Sequence, residues 1–244
     1  MALNGPAFYD NDDNFNAYMT KRSRTENPKE TMEKPVLLDL IGDFTHLRIL
    51  DLGCGDASFG REALAKGCQS YLGIDGSSNM VKSAQQNLTG TIGNVIQANI
   101  EAWDYPSEAF DLVVSLLAFH YLKDIEVIFR KIFQALTKHG RFVFSVEHPV
   151  ITSCDTAWQG KGKRQAWLVD NYFDTGQRIT SWKGGEVIKY HRTVEDYFVS
   201  LQKAGFMVES LCEAGPRIEE FEDDIETYQR RKRIPLFLVL AGRK

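Results

Sequence analysis

Arg48-Ile49-Leu50-Asp51-Leu52-Gly53-Cys54-Gly55-Asp56-Ala57-Ser58-Phe59-Gly60 is the stretch from which the rest of the chain is read. Ile49, Leu50 and Leu52 make an apolar run short enough for a buried strand. Gly-Cys-Gly breaks that run, and from Ala57 the segment Phe59-Gly60-Arg61-Glu62-Ala63-Leu64-Ala65 reads as a helix. Strand, glycine turn and helix together place a nucleotide at a helix N-terminus. Gly53 and Gly55 lack a Cβ, so the backbone can turn tightly and approach a ligand closely. Asp51, at the strand's end, directs a carboxylate into the same space.

The acids of this loop select among nucleotides. A dinucleotide fingerprint, G-x-G-x-x-G, has its third glycine where Ser58 stands, and Gly60 comes two residues late. Asp51 and Asp56 would repel a pyrophosphate but suit a ligand carrying a sulfonium and an ammonium. Asp51-Leu52-Gly53-Cys54-Gly55-Asp56 resembles the D-L-G-C-G signature of the class I S-adenosylmethionine (SAM) dependent methyltransferases, of the small-molecule, methyltransferase domain 11/25-like type. The competing reading of the stretch is a glycine turn in an ordinary α/β protein.

The chain has 244 residues, of which 43% are hydrophobic and 25% charged, enough for one large α/β domain or two small ones. A net charge of −4 argues against general affinity for nucleic acid or an anionic membrane. Cys54, Cys68, Cys154 and Cys212 are scattered without a C-x-x-C, so neither a metal site nor a disulfide framework is expected, and a reducing, cytoplasmic setting is. Met1 to Pro6 lacks the charged and apolar regions of a signal peptide, and no apolar run approaches the ~20 residues of a membrane span.

Four segments are expected: an aromatic N-terminal arm (1–28), a SAM-binding core (29–149), an insertion (150–190) and a C-terminal completion of the core sheet (191–244). In the arm, Asp12-Asp13-Asn14 can start a helix carrying Phe15, Tyr18 and Met19 on one face. Val36, Leu37, Leu40 and Ile41 form the stripe of a helix ending at Gly42. Strands are expected at 48–52, 71–75, 94–98, 110–115 and 141–146. The helices between them include one capped by Ser77 or Ser78 with Met80, Val81 and Ala84 inward, and one opened by Asp124 with Val127, Ile128, Ile132, Phe133 and Leu136 inward, its connection ended by Gly140. This alternation argues for a doubly wound, mostly parallel sheet. Thr193 and Asp196 suit a capping box, 206–212 a sixth strand and 235–241 a last strand. Over roughly residues 30–244 the order of elements resembles the methyltransferase fold, which implies seven strands with the last antiparallel between the fifth and sixth.

SAM must be held at its ribose, adenine and methionine tail. Asp75 lies about 20 residues beyond the glycine turn, where a βαβ unit places a carboxylate on a ribose; its other reading is a helix cap. Met80 can cover one face of the adenine. The resemblance implies that the Asn99 carbonyl takes the exocyclic amine and the Ile100 N–H a ring nitrogen, although Asn stands where the family often has Asp. It also implies a cofactor-binding set that includes Cys54, Gly55, Gly76 and Ser77. The ammonium suits backbone carbonyls near Gly53 and Leu116, with Asp51 close by. The carboxylate needs a cation, and Tyr18-x-x-x-Arg22 resembles a segment found ahead of the glycine turn in similar methyltransferases; Arg22 also reads as a solvated side chain. The products would be a methylated small molecule and S-adenosylhomocysteine.

His120, His148 and His191 lie where the fold places the active mouth, and each titrates near neutrality, so each is a candidate general base or a structural residue. Glu147-His148-Pro149 and His191-Arg192-Thr193 resemble segments of a subset of small-molecule methyltransferases. Three of the four tryptophans lie between Trp158 and Trp182, in the insertion, where Val169–Phe173 and Glu186–Tyr190 can pair as a ribbon. Aromatic walls suit a lid over a small molecule; the alternative is a homodimer interface. The acidic run from Glu219 to Asp224 and the basic run Arg230–Arg233 read as solvated ion pairs; the net charge and the lack of a recognition module argue against nucleic-acid binding through the latter. The functions left standing are a SAM-dependent methyltransferase of a small molecule and a SAM-binding regulator without transfer activity. A nicotinamide oxidoreductase is disfavoured by Ser58 and the acidic loop.

Overall fold

The chain begins with two short helices, α1 (Gly5–Asp10) and α2 (Asp12–Arg22). Pro6 sits in the first turn of α1, where its missing N–H has no partner to lose, and Asn4 caps the helix by accepting from the Ala7 N–H at 3.0 Å. This computed structural model describes residues 2–22, 24, 27–155, 166–182, 185–221 and 224–244. A π-helical turn over Lys29–Glu33 runs into α3 (Lys34–Ile41). Strand and helix then alternate: β1 (Arg48–Leu52), α4 (Ser58–Ala65), β2 (Ser70–Asp75), α5 (Ser78–Asn87), β3 (Asn94–Gln97), β4 (Phe110–Leu116), α6 (Ile125–Ala135) and β5 (Leu136–Glu147). After a single turn of helix, α7 (Pro149–Thr152), comes an antiparallel hairpin of β6 (Gly176–Trp182) and β7 (Gly185–His191). The chain closes with α8 (Val194–Lys203), β8 (Met207–Glu213), α9 (Ile225–Arg231) and β9 (Phe237–Arg243).

Seven strands form one sheet in the order β3-β2-β1-β4-β5-β9-β8. The first five are parallel to one another, and β9 runs antiparallel to both β5 and β8. Alternation along β1 assigns its side chains. Ile49 packs with Leu37, Ala63 and Val81 on one face, while Leu50 and Leu52 pack with Ile128, Phe129 and Leu201 on the other. Both faces are therefore covered by helices, as a parallel sheet requires. Its strands end around the β1–α4 turn, which places that turn at the mouth of the sheet.

Several expectations change. In α6 the buried stripe includes Phe129, fully buried, whereas Val127 is 38% exposed and Phe133 is half-buried; Leu136 already belongs to β5. Gly140 lies within β5 instead of ending a connection. The ribbon's first strand is β6 and not 169–173: Asn171 takes a left-handed backbone (φ 55°), and the Asp174 N–H donates to the Asn171 carbonyl at 3.1 Å, closing a turn there. Trp158, Lys183, Gly184, Glu222 and Asp223 lie outside the described residues.

Gly60 explains how a loop without the third fingerprint glycine still packs. A Cβ at this position would lie 2.2 Å from the Tyr71 ring, so α4 approaches β2 more closely than any side chain permits. The Tyr71 hydroxyl in turn donates to Asp51 at 2.8 Å. Gly60→Ala is expected to lower stability by ~1–3 kcal/mol through overpacking. Urea unfolding measures it, and an unchanged midpoint would show that the ring has room to move.

Candidate active site

The β1–α4 turn is built from left-handed backbone at Gly53 (φ 74°), Gly55 (φ 57°) and Ala57 (φ 55°). At Gly53 glycine is obligatory, because a Cβ would stand 2.4 Å from that of Ala118. The turn leaves its amides directed inward. The Gly53 and Cys54 N–H groups donate to the Ile74 carbonyl at 2.8 and 3.1 Å, joining the ends of β1 and β2. The Gly55 N–H donates to Asp75 Oδ2 and the Ser77 N–H to Asp75 Oδ1, both at 2.9 Å. Asp75 is thus clasped from two sides, with further lone pairs left for a ligand. Burial pushes its carboxyl above the usual range, against the pull of those amides.

Asp51 is 1% exposed, and its Oδ1 has no hydrogen-bond partner among the described residues. Burial lifts its pKa to about 7, while the Tyr71 hydroxyl pulls the other way. A buried oxygen lacking a donor marks a place for one.

These residues line a cavity of about 340 Å³. Asp51, Gly53, Cys54, Gly55, Asp75, Gly76, Met80, Asn99, Ile100, Leu116, Tyr18, Arg22 and His120 all reach it. Ser77 does not. It caps α5 by accepting from the Met80 N–H at 3.2 Å, and its hydroxyl donates to Asp10 at 2.8 Å. Arg22 pairs with Asp56 at 2.9 Å, which fixes the arm over the glycine turn. Asn4, Gly5, Pro6 and Tyr9 of the arm also wall the cavity.

The far end has a different chemistry. Lys189 Nζ meets both Glu147 carboxylate oxygens at 2.7 Å. Burial alone would raise the Glu147 pKa, but Lys189 holds it down at about 2. The Tyr9 and Tyr121 hydroxyls meet at 3.1 Å, and Lys189 Nζ stands 5.8 Å from the centre of the Tyr121 ring. Lys189, absent from the residues expected at the site, carries a readable signal: along β7, Val187, Lys189 and His191 are buried in period two.

The three histidines separate. His120 is 2% exposed and lines the cavity; its Nδ1 accepts from the Glu147 N–H at 3.5 Å, and burial lowers its pKa to about 4. His148 lies outside the cavity, capping α7 by accepting from the Val150 N–H, with its Nε2 2.8 Å from Glu213. His191 is fully buried with both ring nitrogens engaged, by the Thr152 hydroxyl at 2.8 Å and the Tyr172 carbonyl at 2.9 Å. It staples β7 to its surroundings and faces no ligand space.

Residues 50–144 match the family model of a methyltransferase domain. An S-adenosylmethionine-dependent methyltransferase structure from Mesorhizobium loti is 33% identical, with 91% of this chain and 99% of that one covered at a TM-score of 0.80. A Listeria monocytogenes structure assigned to the same activity is 34% identical, over 87% of this chain and 96% of that one, also at 0.80. This chain belongs to the class I SAM-dependent methyltransferases. A shorter match, 31% identical over 106 residues, reaches the trans-aconitate 2-methyltransferase of Rhizobium etli and covers 43% of this chain and 40% of that protein. SAM is therefore the cofactor of this methyltransferase, and no helix among its described residues is long and apolar enough to cross a membrane.

The orphaned Asp51 generates a prediction that separates stability from binding. Its folded pKa lies above that of the unfolded chain, so wild-type protein loses stability as pH rises from about 4 towards 7 and keeps that loss above it. Without cofactor, Asp51→Asn should melt higher than wild type at pH 8, by an amount on the order of a few kcal/mol, with the gap closing as pH falls towards 4. SAM affinity should fall at least about tenfold in the same variant, the cost of one charge-assisted contact. Calorimetric melts across pH, with and without SAM, measure both. A pH-independent gap would place the titration elsewhere.

Proposed function

We propose that this methyltransferase passes the methyl group of SAM to a small molecule enclosed by the arm (1–28) and the insertion (150–190). The observation that carries the reading is the wall of the cavity. Tyr9, Tyr18 and Arg22 from the arm and Lys189 from the insertion line the same cavity as the glycine turn, which supports one enclosed space for cofactor and acceptor. A macromolecular acceptor needs an open groove instead. The R. etli relative is named for a small-molecule acceptor, which supports the same reading.

In this reading Asp75 takes the ribose hydroxyls, Met80 and Ile100 flank the adenine with Asn99 at its edge, and Gly53 and Gly55 admit the cofactor close to the backbone. Asp51 Oδ1 and the carbonyl side of Leu116 receive the ammonium. Arg22 serves the carboxylate while remaining paired with Asp56. Bound SAM supplies a methyl carbon already electrophilic. The chain's contribution is then orientation, which can supply ~7–11 kcal/mol, together with the exclusion of water by the arm. His120 is the one candidate histidine that reaches the cavity, and its low pKa keeps it neutral.

Titration of wild-type, Asp75→Ala and Gly55→Val protein with SAM, S-adenosylhomocysteine and NAD tests the cofactor assignment. Both variants should keep native circular dichroism and lose SAM affinity by ~100-fold or more, since one loses a charge-assisted contact and the other places a branched side chain where the ligand must pass. Radiolabelled SAM incubated with metabolite extract should label a small product. Label appearing only in macromolecules would overturn the small-molecule reading.

A further inference from the structure

The ion pair of Glu147 and Lys189 joins β5 to β7 at the wall of the cavity. Two desolvated charges rarely stabilise a fold more than an apolar pair of the same volume would. Their placement at the cavity wall gives them another use. Lys189 is the more enclosed partner, its side chain 6% exposed against 28% for Glu147, so the ligand space meets the carboxylate. Each carboxylate oxygen still has a lone pair beyond the one that Lys189 uses. Around it stand aromatic rings: Tyr9 lies edge-on to Tyr18 at 5.2 Å and to Tyr121 at 6.2 Å, and all three line the cavity.

Resting on the function proposed above, we propose that the methyl acceptor is an amine, bound with an N–H donated to Glu147 and its nitrogen among the faces and edges of these tyrosines. Charge decides the form in which it binds. Glu147 alone would favour an ammonium, but Lys189 already neutralises it at 2.7 Å, and with Lys21 and the cofactor's sulfonium beside it the balance favours the neutral, nucleophilic amine. The nitrogen lone pair then forms the N–C bond as the C–S bond breaks, the bonding pair remaining on sulfur. Positive charge moves from sulfur to nitrogen, and the new ammonium keeps its protons until it reaches solvent. The hydrogen bond to Glu147 becomes charge-assisted as the reaction proceeds, and the tyrosine rings attract the same developing cation. Both interactions strengthen in the transition state, which is what accelerates transfer.

The other acceptor chemistries fit less well. A carboxylic acid would bring a second carboxylate to Glu147. An alkyl alcohol needs its proton removed, yet His120 Nδ1 already accepts from the Glu147 N–H and His120 is held near pKa 4, with Glu147 near 2. Neither is a base strong enough for that task.

The test uses full-length protein saturated with S-adenosylhomocysteine and titrated with a panel of aryl and alkyl primary amines, each beside its matched alcohol and carboxylic acid. The same panel is run for turnover with radiolabelled SAM. SAM binding is measured first: its absence would refute the underlying function, not this assignment. With SAM bound, the preferred amine should exceed its alcohol and acid counterparts by at least about tenfold, the worth of one charge-assisted hydrogen bond. Glu147→Gln should abolish that preference while SAM affinity stays within about threefold. Because that variant leaves Lys189 buried and unpaired, the double variant Glu147→Gln/Lys189→Met is measured beside it, with the same expectation. No amine preference in wild type, including binding of no panel member, overturns the proposal, as does a preference that survives in a folded variant.

Discussion

Between Leu52 and Ser58 a buried strand must become a helix without placing a side chain in the space above it, and the site depends on how that is done. Three left-handed residues in alternation, Gly53, Gly55 and Ala57, make the turn. Two are glycines and pay little. Ala57 costs about 1–2 kcal/mol in that conformation, offset by its complete burial in the core under α4. The same geometry points the Gly55 amide at Asp75 and the Gly53 and Cys54 amides at Ile74, locking the ends of β1 and β2 together. The carboxylate at the end of β2 is therefore oriented by the turn at the end of β1.

Two carboxylates of the cavity wall, Asp51 buried and Glu147 partly so, are driven in opposite directions by their environments. Burial raises Asp51 to about 7, against the opposing pull of the Tyr71 hydroxyl. Glu147 has an ammonium on both oxygens, which holds it at about 2. The first is incomplete without a ligand cation; the second is compensated before any ligand arrives. A cofactor with two positive groups suits the former, and a neutral acceptor whose charge develops only during reaction suits the latter.

The sheet was legible because its strands are apolar runs punctuated by glycine turns and acids, and Asp75 because βαβ geometry fixes its distance from the turn. The misplaced features share a cause: each depends on partners far away in sequence. His148 and His191 follow strand ends as mouth residues do, but a helix amide, a threonine hydroxyl and a carbonyl take up their ring nitrogens. A lysine within a ribbon reads as surface, and only the parity of Lys189 with Val187 and His191 places it inward. The stripe of α6 was shifted towards Val127 because, in a run as apolar as Ile125–Phe133, residues on both faces match the period. In the arm, α1 offers only Asn4 and Pro6 as local signals, and the rest of its order comes from tertiary contacts.

Those contacts explain how an arm with little core can close a site. The α2 helix buries only Asn14, so no apolar stripe anchors it. Instead the segment is tied at separated points. Leu3 pairs with β7 through two backbone bonds, to Glu186 and Ile188. Asp10 accepts from Ser77, Ser78 and Asn79 at the N-terminus of α5. Arg22 meets Asp56. Each such bond is worth ~0.5–1.5 kcal/mol net, so they can open one after another without unfolding either face of the sheet. The ties also fall on both halves of the cavity, since Asp10 and Arg22 bind the elements around Asp75 and the glycine turn while Leu3 and Tyr9 bind those carrying Lys189 and Tyr121. One polar strap thus ties together elements on several sides of the cavity, and its contacts at either end bear on how the other is held.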